Sequence, residues 1–197
     1  MRDLLAGATA DAHAALHRHP WLARLSGPGL DRRVYGRILF AYRQVFWDLE
    51  ARRAVAGLFP GLTLAPQLQA LEEDLAFLSE DPGEVPGAAR TSADPALVLG
   101  GLYVLHGAGF GGRHLAARVA ANLPEAPRAY LSLGTSPDLW RSLKAALQEH
   151  AQDDEATAAL IRGALATFAK IDRGVHEACA PLSTIAQEVA RPARQAH

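Results

Sequence analysis

Gly100-Gly101-Leu102-Tyr103-Val104-Leu105-His106-Gly107-Ala108-Gly109-Phe110-Gly111-Gly112 sets six glycines inside an apolar stretch. Its flanks, Ala96-Leu97-Val98-Leu99 and His114-Leu115-Ala116-Ala117-Arg118-Val119, read as helix. Each glycine in a helix interior costs about 0.5–1 kcal/mol relative to alanine. A helix that accepts this cost repeatedly exposes bare backbone, and the cluster predicts that something flat and bulky lies against it. One helix crossing through small residues would need fewer glycines. With no strand before them, these glycines are not a dinucleotide fingerprint.

Outward from this segment the pattern stays helical, and no run of alternating strand residues stands out. A first helix is expected over about residues 3–18, stopping near His19-Pro20 because a residue before proline avoids the helical region. Gly27-Pro28-Gly29 marks a turn. A long helix follows Asp31, with Val34, Ile38, Phe40, Ala41, Val45, Leu49 and Val55 on its apolar face, and Pro60-Gly61 closes it. A third helix covers about 66–80 through Leu68, Leu71, Leu75 and Leu78. A loop is expected over 81–95 and a break over about 123–136. Ser136-Pro137-Asp138 then starts a helix with a capping serine and proline in the first position. Asp153-Asp154 opens a last long helix reaching Ala180-Pro181, followed by a short helical piece. The expectation is one all-α domain over 1–190 and a polar, disordered tail over 191–197.

Composition narrows the function classes. The chain has 197 residues, 21% of them charged, and a formal net charge of -1, so no global basic field exists to hold nucleic acid or an anionic membrane. Apolar stretches are broken by Arg113, Arg162 or Lys170, well short of the about 20 residues a membrane span needs. The N-terminus, interrupted by charge, offers no signal-peptide core. One cysteine, Cys179, forbids an internal disulfide, and a soluble cytoplasmic protein is expected.

Among eight histidines, His13 and His17 stand four apart and share one helix face. Such a pair can chelate a metal, can serve as a ligand and its supporting partner, or can simply be solvated. Asp172 and His176 repeat the spacing on the last helix and could form half of a di-metal site, although no Glu-x-x-His occurs.

Three segments carry a resemblance. Ala8-Thr9-Ala10-Asp11-Ala12-His13-Ala14-Ala15-Leu16 resembles the opening of the haem oxygenases, in which a threonine four residues ahead of a histidine marks the proximal haem ligand. Leu71-Glu72-Glu73-Asp74-Leu75-Ala76-Phe77 is similar to their third helix, and Leu102–Gly112 to their distal helix. The segments fall in the family's order and spacing, closest to the bacterial members found beside phytochromes. Here His106 stands where those have glutamate. Ala108 replaces their serine and the aspartate of mammalian members, and it has no side chain to organise the water that protonates bound oxygen.

The resemblance implies a helical bundle holding haem between a proximal N-terminal helix and a kinked, glycine-rich distal helix. It implies His13 as axial ligand to iron and His17 as its partner. Gly107, Ala108 and Gly111 would cover the distal face, and His106 would join a distal hydrogen-bond network, face another helix, or bind iron as a sixth ligand and close the site. Arg141 and Lys144 are the cations implied for the propionates, with Arg2 a weaker third. Trp140 and Phe168 belong to core or pocket wall. The activity implied is oxygen-dependent cleavage of haem, both substrate and cofactor, to biliverdin, carbon monoxide and ferrous iron. Molecular oxygen is the implied co-substrate, a ferredoxin- or reductase-type protein the implied electron donor, and a bacteriophytochrome the implied biliverdin acceptor. The alternative, argued from Ala108 and His106, is a haem-binding or haem-carrying protein that does not turn haem over.

Overall fold

The computed structural model describes residues 1–78 and 94–189, the side chains of Arg2 and of 181–189 aside. The tail 191–197 and most of the expected loop 81–95 lie outside the described residues. Those residues form eight α-helices and two 3-10 turns, with no strand among them.

The first helix divides at Thr9 into α1 (Arg2–Ala8) and α2 (Ala10–Arg18). Thr9 sits at φ −108°, ψ 4°, and its buried hydroxyl donates to the Leu5 carbonyl at 2.8 Å. The backbone ladder continues through the joint, from Thr9 N–H to Leu5 and from His13 N–H to Thr9. The threonine four residues ahead of His13 is thus a local tie between two helices, joined to His13 through backbone. Beyond α2, buried His19 does more than stop a helix. Its Nδ1 accepts from the Trp21 and Leu22 amides at 3.3 and 3.5 Å, seating the 3-10 turn Leu22–Ser26.

Asp31 accepts from the Val34 amide at 2.8 Å and starts α3 (Arg32–Val55). Val34, Ile38, Ala41, Val45 and Leu49 are buried as the spacing predicts, but Val55 is 76% exposed. The helix ends there, before Gly57, whose φ of 65° only glycine adopts cheaply, and not at Pro60-Gly61. Glu50 gathers the return: it accepts from the Arg53 guanidinium, the Thr63 hydroxyl and the Leu64 amide, holding the 3-10 turn Pro60–Leu62 against α3. Next, α4 (Ala65–Leu78) buries Leu71, Leu75 and Leu78 together with Gln67 and Asp74. Asp74 accepts the Ala129 and Tyr130 amides at 2.9 and 3.0 Å, the free N–H groups of a short helix, α6 (Ala129–Leu133), inside what reads in sequence as a break.

Three long helices complete the bundle: α5 (Pro95–Asn122), α7 (Pro137–His150) and α8 (Asp154–Val189). The Ser136 hydroxyl caps the Leu139 amide at 3.1 Å with Pro137 as the first helical residue. The last helix runs through Pro181 rather than ending there. A proline removes one backbone bond, and this helix is long enough to absorb the loss. The centre of the molecule is the crossing of α5 on α8. There a Cβ on Gly100 would overlap the Leu160 carbonyl and one on Gly163 the Leu97 carbonyl, so two backbones meet through glycine. Leu99, Leu102, Leu105, Leu160 and Ala164 are all at most 2% exposed around it. No helix among the described residues is long and apolar enough to cross a membrane.

Candidate functional site: a bare helix edge and an exposed histidine pair

The six glycines of 100–112 divide by what a side chain at each would meet. Gly100 and Gly101 belong to the helix crossing, where a Cβ on Gly101 would stand 2.9 Å from the Thr167 hydroxyl and 3.0 Å from Leu49. Gly109 and Gly112 accommodate the chain from α6 towards α7. A Cβ on Gly109 would overlap the Thr135 hydroxyl and approach the Gly134 carbonyl carbon to 2.8 Å, and one on Gly112 would lie 2.5 Å from the Leu131 carbonyl oxygen. Gly107 and Gly111 differ. The nearest atom to a Cβ on Gly107 is the Trp140 ring edge at 4.0 Å, and nothing lies within 4 Å at Gly111. Four glycines therefore serve packing, against the expectation that the cluster as a whole answers to a ligand, and two leave one edge of α5 bare.

His13 is exposed on α2, its ring edge-on to His17 with centroids 4.6 Å apart and to Phe168 of α8 at 6.1 Å. Partial burial and then the neighbouring His17 hold its pKa below the ordinary value, which favours the neutral imidazole a metal ligand must be. His17 meets it by ring contact, and no hydrogen bond joins the two. Phe168 is 8% exposed and belongs to the hydrophobic core, one of the two placements expected from sequence. Its neighbour Thr167 packs at Gly101, so the α8 turn behind His13 is the turn crossed by α5. From that crossing α5 rises about 9 Å to Gly107.

His106 faces away from solvent and from the bare edge. It is 0% exposed, with Nε2 3.2 Å from the Leu62 carbonyl and Nδ1 3.5 Å from the Gln67 amide nitrogen. Burial lowers its pKa, and the Leu62 carbonyl and the Glu50 charge only partly oppose this. Of the placements sequence allows, the ring takes the one against a neighbouring helix. Thr135 donates to the His106 carbonyl, tying the α6–α7 connection to this turn of α5.

Ala108, by contrast, is exposed and lines a partly open pocket of about 50 Å³ with Gln67, Tyr42, Tyr130, Gly109 and Thr135. Tyr42 and Tyr130 stand 5.9 Å apart, and burial pushes the Tyr42 phenol up to about 12 and Tyr130 well above its ordinary value. Both phenols are therefore protonated at neutral pH. Sequence reading missed Gln67, Tyr42, Tyr130 and Thr135. Only Gln67 left a signal, as an amide on the apolar stripe Leu64, Gln67, Leu71, Leu75.

On α7, Trp140 packs edge-on against Phe110 at 4.9 Å and lies 5.7 Å from Tyr103, flanking the bare edge. Lys144, half-buried, is one turn on from Trp140 along the same face. Arg141 instead forms a 2.8 Å ion pair with Asp138, exposed on both sides and so worth little in water. The Arg2 side chain lies outside the described residues. Asp172 and His176 are exposed, and no three His, Cys, Asp or Glu side chains converge on a metal site among the described residues. Cys179 is buried, its thiol pushed up to about 11 by desolvation and thus protonated.

No protein-family model matches the chain, and no curated protein sequence matches it. Solved structures do. The haem oxygenase of Leptospira interrogans superposes with a TM-score of 0.69 at 20% identity, over 89% of this chain and 98% of that one. Haem oxygenase-1 of the cyanobacterium Synechocystis, solved in complex with haem, gives 0.69 at 15% identity over 96% and 98%. At these identities the likeness concerns architecture, and it extends over nearly the whole length of both chains: the protein has the all-α fold of the haem oxygenases.

Proposed function

We propose that the protein is a haem oxygenase that takes haem between α2 and the bare edge of α5. The observation that carries this reading is the contrast within the glycine segment: Gly109 and Gly112 are filled by residues 131–135, whereas Gly107 and Gly111 face open space in a fold whose haem-bound representative is known. The residues present fit the group. An exposed imidazole biased towards neutrality, a flat edge free of side chains and a cation at its rim are what a porphyrin with two propionates requires.

Bound haem supplies both the iron at which dioxygen reacts and the ring that opens to biliverdin, with release of carbon monoxide and ferrous iron. His13 holds the ligand from α2, with His17 and Phe168 restricting its ring. Gly107 and Gly111 would leave clearance for the group along α5, and Trp140 would wall it. Lys144 serves a propionate, joined by Arg141 once that side chain leaves its solvated pair with Asp138. Ala108 can neither give nor accept a proton, and the His106 ring is engaged elsewhere, so protons at this face come from water. Electrons come from an external donor of ferredoxin or reductase type.

The same two residues favour the second reading, a haem carrier without turnover. Titration with haem, then reduction under oxygen with a ferredoxin system, separates the cases. A Soret band followed by bilin absorbance supports the oxygenase. A Soret band without bilin leaves the carrier, and no Soret band removes both.

A further inference from the structure

Three contacts fix how α3 and α8 lie against each other. Asp48 pairs with Lys170, a Cβ on Gly174 would stand 3.8 Å from that of Ala41, and the Arg37 charge is felt at Cys179. Rising residue number on one helix matches falling number on the other, so the two run antiparallel. Between them lies a groove of about 510 Å³, far larger than the pocket at Ala108 and within the span of small-molecule sites, about 300–1,000 Å³. It extends from Arg37 to Asp48 along α3, about 16 Å of helix. The groove shares no residue with the bare edge of α5 or with the histidine pair.

Its floor is apolar, built from Ala41, Val45, Gly174 and Ala178, with Phe40 half-buried on the α3 side. Packing does not require the glycine: a Cβ at Gly174 would meet Ala41 at an ordinary van der Waals distance, and the space above it belongs to the groove. The charges are unevenly placed. At one end Asp48 already holds two cations, Lys170 and, at 3.1 Å, Arg52. Arg173, one turn from Lys170 along α8, is exposed there and makes no ion pair among the described residues. At the other end Arg37 and Glu177 bring opposite charges. An apolar trough with surplus positive charge at one end complements an amphipathic anion. Arginine donates two parallel hydrogen bonds to a carboxylate, and Gln44 on the α3 wall offers a further amide donor.

We propose that the α3–α8 groove is a second ligand site and takes an amphipathic carboxylate, with the acid group on Arg173 and Lys170 and the apolar chain along Gly174, Ala41 and Phe40 towards Arg37. A medium-chain fatty acid has this chemistry. A cationic amphiphile of the same length does not, because its head would face Lys170 and Arg173. The site is independent of the haem oxygenase reading.

Calorimetric titration of the haem-free full chain with decanoate, below its micelle concentration, should show one molecule bound per chain. Decyltrimethylammonium should bind at least about ten-fold more weakly, since like charges then face each other. Arg173→Gln, at an exposed position without an ion pair, should keep the fold and weaken decanoate by about ten-fold, the scale of one lost charge-assisted hydrogen bond. Added salt should weaken it too, because these cations are open to solvent. Gly174→Leu should fill the groove and abolish binding, while Gly174→Ala folds as the wild type does. Should Gly174→Leu not fold, Arg173→Gln and the charge comparison decide. Failure of decanoate to bind, equal binding of the two amphiphiles, or an unchanged decanoate affinity in Arg173→Gln overturns the proposal. Decanoate that haem displaces and Gly174→Leu leaves bound lies at the bare edge of α5, which also overturns it. A wild-type dimer that Gly174→Leu dissociates in sedimentation makes the groove a contact between copies of this chain, and the ligand site falls.

Discussion

Thr135 occupies the volume that a side chain on Gly109 would need, and its hydroxyl donates to the His106 carbonyl one turn back along α5. Gly111, two residues on, meets nothing within 4 Å. Alanine should therefore have opposite effects at the two sites. Gly109→Ala should destabilise the haem-free protein by about 1–3 kcal/mol through overpacking against Gly134 and Thr135. Gly111→Ala should stabilise it by up to about 1 kcal/mol, the helix-propensity difference. Urea unfolding of both variants reads the sign directly, and a destabilising Gly111→Ala would show that this edge is not open.

The open space at Gly111 also bears on ligand binding, because a larger side chain there meets nothing in the haem-free protein and competes only with what binds. Gly111→Leu should fold cooperatively yet lose or displace haem, since the side chain takes the space in which the ring or oxygen would lie. Haem titration followed at the Soret band checks this, and normal affinity with normal oxygen reactivity would assign the edge to another role.

His13→Ala should abolish the imidazole-type haem spectrum at unchanged helicity by circular dichroism. His17→Ala should retain that spectrum and weaken haem binding by about ten-fold, the usual scale for a residue that supports a ligand. If His17→Ala removes the spectrum and His13→Ala does not, the axial assignment moves one turn along α2.

Much of this architecture is legible in the sequence, for local reasons. Asp31, Ser136 and Asp153 cap α3, α7 and α8 as their positions suggest, because capping is decided within three residues. The short α6 was not legible, since its first amides are satisfied by Asp74, more than fifty residues away. The glycine segment was readable as special but not as divided. Periodicity tells which residues share a face, whereas the partner at each face, α8 for Gly100 and residues 131–135 for Gly109, is tertiary. His106 shows the same limit: its type suggested proton chemistry, and its direction is set by Leu62 and Gln67 on other elements.

His106 also gives the molecule a pH dependence whose sign follows from its burial. Desolvation lowers its pKa in the folded protein below the ordinary 6.5, outweighing the opposing Leu62 carbonyl and Glu50 charge. Below that value the unfolded chain binds a proton that the folded one refuses, so stability is full above about pH 6.5 and falls as pH drops towards the folded-state pKa. His13 and His19 shift the same way, so wild type alone cannot isolate the effect. The difference between wild type and His106→Gln can, because glutamine retains a donor and an acceptor without a charge to gain. Urea unfolding between about pH 7.5 and 5.5 should show wild type losing stability more steeply, by up to about 1.4 kcal/mol per pH unit within the window. Parallel pH profiles for the two proteins would mean that His106 takes up its proton in place.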